Sequence, residues 1–270
     1  MELGLTGKVA IVAASSQGLG RACAEALARE GARVVINGRR PEALASAAQA
    51  IRQVMAVKGA DVHTVAGDIS DPEAINRLIK ATLARFGQLD ILVTNGGGPA
   101  PGKFADLSEW DWQAGLGSTL WPVLRLIRAA VPHLTAAKER GGGRIINIVS
   151  TSVKQPIPGL FLSNALRPAV IGLAKSLSIE LAADGILVNN VCPGFFDTDR
   201  IKHVYEARAE GTAYTVEQIA AQAAEAIPLR RLGDPRELGS VVAFLASDKA
   251  SYLTGQTLSV DGGMVNGLFG

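Results

Sequence analysis

Along the chain, short runs rich in β-branched residues alternate with longer segments whose apolar positions recur every three to four residues. The runs are KVAIVAA (8–14), RVVIN (33–37), DVHTVAG (61–67), DILVTN (90–95), GRIINIV (143–149), GILVNNV (185–191) and QTLSVDG (256–262). Between them lie stretches such as RACAEALAREG and PEALASAAQAIRQVM, with the spacing of amphipathic helices. Several runs are apolar on both alternate sets of positions, the pattern of parallel strands covered on two faces. This predicts one α/β domain over 1–270, a doubly wound parallel sheet without a linker or an internal repeat. A single segment breaks the rhythm. Residues 195–232 are too long for a turn, hold two helix-like stretches and follow a strand's carboxyl end. They are expected to sit as a helical lid over the crevice where open α/β sheets bind ligands.

Composition narrows the picture by exclusion. The 270 residues are 48% hydrophobic, enough to bury a large core, and the net charge of +2 gives no argument for nucleic acid or an anionic membrane. No apolar run approaches a membrane span, and the start MELGLTGKVAIV lacks the features of a secretory signal, so a soluble cytoplasmic protein is expected. Cys23 and Cys192 stand far apart without CxxC or histidine spacing, and read as reduced core residues rather than a metal site.

The first run leads into AASSQGLGRACAEALAREG. Gly18 and Gly20, between strand one and helix one, let backbone N–H groups approach a pyrophosphate at a positive helix end. Paired glycines before a helix also serve as plain turn chemistry; the placement in a βαβ unit is what favours a dinucleotide. The second run ends VVINGRR, with Asn37, Gly38, Arg39 and Arg40 where an NAD site usually carries a carboxylate. A 2′-phosphate would meet donors and positive charge there, so NADP is expected, with NAD as the lesser cofactor. Two solvated arginines at a helix start are the plainer alternative.

Taken together, SSQGLG, GDISD (67–71), DILVTNGGG (90–98), GRIINIVS (143–150), VNNVCPGFFDT (188–198) and ASDKASYLTGQTLSVDGG (246–263) resemble the short-chain dehydrogenase/reductase family over essentially the whole chain. The resemblance implies a Rossmann fold with a seven-stranded parallel sheet and helices on both faces, a nicotinamide cofactor, a small carbonyl or alcohol substrate, and a homodimer or homotetramer. It places Ala14, Ser16, Gln17, Gly18, Leu19 and Gly20 in the cofactor loop, Arg39 at the 2′-position, and Asp68 and Ile69 beside the adenine. By the same resemblance Asn95, Gly96 and Gly97 line the cofactor after strand four, and Pro193, Gly194, Phe196 and Thr198 hold its nicotinamide end. Without it, Asp68 would read as a helix cap, and Pro193 and Gly194 as a turn.

The departures are informative. Where family members open the loop with Thr-Gly, this chain has Ala13 and Ala14, tolerable if the backbone there keeps a negative φ. Ser150 fits the family's serine after strand five. Thirteen residues on, where a tyrosine is usual, stands Ser163; four further, in place of lysine, stands Arg167; and Thr119 falls where a helix asparagine is expected. A serine hydroxyl is a far weaker acid than a phenol, and an arginine keeps its proton, so both replacements remove proton-transfer capacity while retaining hydrogen bonds and a fixed charge. Pro168 disfavours a helical Arg167 unless it falls in a first turn, so Arg167 is expected to point differently from a family lysine. Lys154 reads either as solvated charge or as a proton source. His203, Tyr205 and Tyr214 in the lid segment could complete a site on closure, or be packing and surface. Trp110, Trp112 and Trp121 suit a buried face or an interface better than a substrate stack. Two functions follow: an NADP-dependent oxidoreductase of a carbonyl or secondary alcohol with Ser150, Ser163, Arg167 and Thr119 at its centre, or a non-redox NADP-binding protein on the same scaffold, such as a regulatory subunit, lyase or isomerase.

Overall fold

The computed structural model describes residues 2–55, 59–210 and 212–268. Seven strands, β1 (Val9–Val12), β2 (Arg33–Gly38), β3 (Asp61–Ala66), β4 (Ile91–Thr94), β5 (Arg144–Ile148), β6 (Leu187–Pro193) and β7 (Thr257–Val260), form one parallel sheet in the order β3-β2-β1-β4-β5-β6-β7. Each lies within or beside the run that predicted it.

Why the sheet needs cover on both faces is visible strand by strand. Ala10, Val12, Val34, Ile36, Ile91 and Val93 point into one core, while the intervening Ile11, Val35 and Leu92 point into the other. The first core is closed by α1 (Gly18–Arg29), α2 (Pro41–Val54) and α8 (Pro235–Ala246); the second by α3 (Pro72–Phe86), α4 (Glu109–Thr135) and α5 (Phe161–Glu180). Caps set the helix starts. The Asp71 carboxylate accepts from the Glu73 N–H ahead of α3, and Ser108 with Asp111 forms a reciprocal box at α4.

The strand order reverses between β1 and β4, whose carboxyl ends therefore diverge into a crevice. The segment expected as a lid holds two further helices, α6 (Asp199–Ala209) and α7 (Val216–Glu225), after β6; residue 211 lies outside the described residues. Phe196 anchors its root, buried and bridged to Gly233, where a Cβ would come within 2.6 Å of the phenyl ring.

Pro168 falls well inside α5 rather than in its first turn, and the helix runs through it. Arg167 is consequently helical despite the following proline. Burial of Leu162, Leu166, Val170 and Ala174 along the same helix outweighs the roughly 3 kcal/mol that an interior proline costs.

Candidate active site

The glycine loop is built by the close approach of three segments. A Cβ on Gly20 would lie 2.5 Å from the Ala14 carbonyl oxygen and 2.6 Å from Asn95 Nδ2, so only glycine fits. Asn95, just beyond β4, donates from Nδ2 to the Ala14 carbonyl at 3.1 Å and faces that of Ala13 at 3.4 Å, tying the loop across the reversal point. The path differs from the expected one at Ala14. Its φ is +46°, not negative, so an alanine occupies the left-handed region that glycine normally fills. The Asn95 bond on one side and the Ser15 N–H bond to the Asn37 carbonyl (2.7 Å) on the other hold it there.

Gly18, also at positive φ (+57°), opens α1, and Gln17 before it makes no side-chain cap. No acidic residue occupies the first turn, which leaves the helix N-terminus suited to a phosphate. Leu19 packs against the core, and Ser16 lies against Gly38, whose Cβ would approach Ser16 Oγ to 3.0 Å. At the end of β2 the structure divides the expected donors. Asn37 is buried and its amide donates to the Val65 and Gly67 carbonyls at 3.1 Å each, so it shapes the loop and is not turned to a ligand. Arg39 and Arg40 are exposed, and Arg40 reaches Gln17 Oε1 at 3.5 Å. Asp68 accepts from the Ser70 N–H and hydroxyl at 2.9 Å each. Those bonds, with a smaller contribution from the Arg39 charge, hold its carboxyl below the usual range. Ile69 packs its Cδ1 toward Gly96.

At the other end of the crevice, Ser150 follows β5. Its Oγ accepts from the Ser152 N–H at 3.1 Å, which leaves the hydroxyl proton available to donate. Ser163 is buried in α5 and shares a 3.1 Å hydrogen bond with Ser152 Oγ, a partner that sequence reasoning missed although it stands two residues beyond Ser150. A bond from Ser163 to substrate would have to be shared with that one. Arg167, one turn along α5, donates from Nη1 to the Val149 carbonyl at 2.5 Å. Burial, then the neighbouring Arg200 charge, pull its guanidinium down to about 10, so it remains a cation at neutral pH.

Arg167 and Thr119 line a cavity of about 20 Å³ with Asn95, Gly96 and Gly97, and one buried atom of each, Thr119 Oγ1 and Arg167 Nε, has no hydrogen-bond partner among the described residues. Orphaned donors beside a glycine-lined strand end fit the ribose and amide oxygens of a dinucleotide, as the cradle at Gly20 fits its phosphates. Pro193 ends β6 and Gly194 follows it; a Cβ on Gly194 would lie 2.8 Å from Asp261 Cα. Thr198 precedes α6 without a side-chain cap bond, and its methyl approaches Gly18.

The other proton candidates are distributed unevenly. Lys154 is half-buried on the loop after Ser150, near enough to influence the buried Cys192 thiol, which desolvation pushes up to about 11. His203 is exposed and bound to Glu206 at 2.9 Å, Tyr214 is exposed, and Tyr205 is buried within the lid segment. Cys23 and Cys192 are both free and buried. Of the tryptophans, Trp110 and Trp121 are exposed on α4, and Trp112 meets Phe161 edge-on.

A family model described as Enoyl-(Acyl carrier protein) reductase matches residues 13–265. The chain is 37% identical to 3-oxoacyl-acyl-carrier-protein reductase FabG of Vibrio cholerae over 97% of its own length and 99% of that protein's. It is 35% identical to oxidoreductase UcpA of Escherichia coli K12, covering 96% and 95% respectively. L-sorbose reductase from Gluconobacter frateurii, solved with NADPH and L-sorbose, superimposes with a TM-score of 0.93 at 31% identity over 99% of this chain and all of that one. Agreement of fold, motifs and sequence over nearly the full length means that the chain belongs to the short-chain dehydrogenase/reductase family.

Proposed function

We propose that this oxidoreductase is NADP(H)-dependent, reduces a carbonyl or oxidises the matching secondary alcohol, and does so with Ser150 and Arg167 in place of the usual tyrosine-centred relay. The observation that carries the reading is a Ser150 hydroxyl with its proton to give, next in sequence to the Val149 carbonyl that holds the cationic Arg167, beside a loop shaped for a dinucleotide. A bound dihydronicotinamide would supply the hydride. As negative charge develops on the substrate oxygen, Ser150 donates to it and Arg167 lowers the energy of that charge from a desolvated position. Thr119 and Asn95 orient what lies between β4 and α4, and the lid segment limits water. The proton that completes an alcohol comes from solvent or from Lys154, which makes this a slower route than a phenol poised near neutrality.

The test is NADPH fluorescence on titration into the purified protein, followed by NADPH oxidation over a panel of ketones. Enhanced fluorescence with measurable turnover is expected. Absence of NADPH binding rejects the proposal. Binding without turnover of any carbonyl favours the non-redox reading, to which the loss of tyrosine and lysine from the centre lends its weight.

A cytoplasmic homodimer or homotetramer is part of the same proposal. Trp110 (78% exposed) and Trp121 on α4, with Phe161 and Ile179 (72% exposed) on α5, give these two helices apolar side chains that a partner subunit would cover. Light scattering at micromolar concentration is expected to give twice or four times the 28.1 kDa chain mass; a monomer contradicts it.

A further inference from the structure

The lid helix α6 brings a second cation into the crevice. A Cβ built on Gly98 would lie 3.1 Å from Arg200 Nη2 and 3.2 Å from Arg167 Nη2, so the two guanidinium groups converge on the same point beside Gly98, close enough for the charge of one to act on the other. Neither has a carboxylate within 4.0 Å among the described residues, whereas Arg21, Arg85, Arg140, Arg231 and Arg236 all do. Like charges at this separation repel, the more so where burial has removed water from one of them. An arrangement of this kind is unfavourable in isolation and becomes favourable when an anion lies between its members. Arg167 is held by the Val149 carbonyl, and its buried Nε has no partner among the described residues. Arg200 is exposed at the start of α6, two residues beyond Thr198, and is therefore the member that can turn to a ligand.

We propose that the site selects substrates carrying a carboxylate next to the reacting carbonyl, and that Arg200 is the specificity-determining residue that binds that carboxylate. This deepens the reductase reading and rests on it. With the carboxylate on Arg200, the adjacent carbonyl oxygen lies between Ser150 and Arg167. The positive charge acquired by the nicotinamide during reduction adds a third cation to the crevice, which the substrate anion offsets. A second source of negative charge is the cofactor's own pyrophosphate, which would approach from the Gly18 side of Thr198.

The test compares 2-oxo-4-phenylbutanoate with its ethyl ester, by calorimetric titration into NADP-loaded protein and by kcat/KM with NADPH. The native protein is expected to favour the acid at least tenfold by both measures. In Arg200→Met that preference should fall at least tenfold, with Arg200→Lys between, while Kd for NADPH shifts less than twofold. Equal binding of acid and ester by the native protein overturns the proposal. So does a loss of NADPH affinity in Arg200→Met that matches the loss for the acid, because it assigns Arg200 to the pyrophosphate. Selective binding of the acid without turnover upholds the anion site and rejects the reductase reading alone.

Discussion

Ser150→Ala should lower kcat by roughly two to three orders of magnitude on whichever carbonyl the protein reduces, with KM little changed. The serines differ in which hydroxyl has a proton to give. Ser150 Oγ already accepts from the Ser152 N–H, an arrangement that fixes the oxygen and directs its own proton away from the backbone. Ser163 and Ser152 are instead occupied with each other. Removing Ser163 should therefore cost much less, about tenfold or under, because only a shared bond is lost. The two variants measured side by side separate the roles. Equal losses would place both hydroxyls on the substrate oxygen, and an unaffected Ser150→Ala would move the active centre away from this loop altogether.

The second large effect concerns the cofactor. NADPH should bind at least tenfold more tightly than NADH, about 1.4 kcal/mol, which is modest for a phosphate–arginine contact. Arg39→Asp should reverse that order, since it removes the cation and presents a carboxylate to the ribose hydroxyls. Asp68 sharpens the reversal. Its carboxyl is held ionised by Ser70 and lies close enough to feel Arg39, so the substituted site would carry two acidic groups against a 2′-phosphate. Arg40, facing Gln17, is not placed to compensate fully. Titrations with equal midpoints for NADPH and NADH in the native protein would refute the assignment of Arg39.

The seven strands were legible because a sheet covered on both faces demands apolar residues at successive positions, and VAIV or RIINI has little other use. The glycine loop was legible for a similar reason, since Gly20 admits no side chain where three backbones meet. What the chain did not disclose depends on contacts between distant segments. Asn37 looks like a ligand donor in VVINGRR, and only the folded β3 shows that the Val65 and Gly67 carbonyls claim its amide. The left-handed Ala14 depends on Asn95, eighty-one residues away. Pro168 should end a helix by local rules, and tertiary burial of α5 overrules them. Arg200 lies within residues 195–232, and nothing in FFDTDRIKH indicates that its side chain reaches Gly98.

The stitch between Asn95 and the carbonyls of Ala13 and Ala14 bears on how a cofactor is received. A loop of glycines left to itself samples many shapes, and a ligand must then select one at an entropic penalty. Here an amide from the neighbouring strand end holds the loop in its strained form, so the cradle exists before anything enters it. The cost of shaping the phosphate site is thereby charged to the folding of the central sheet and not to binding. The loop should accordingly keep its shape without cofactor up to the temperature at which β1 and β4 separate, and cofactor binding should be lost together with the fold rather than before it.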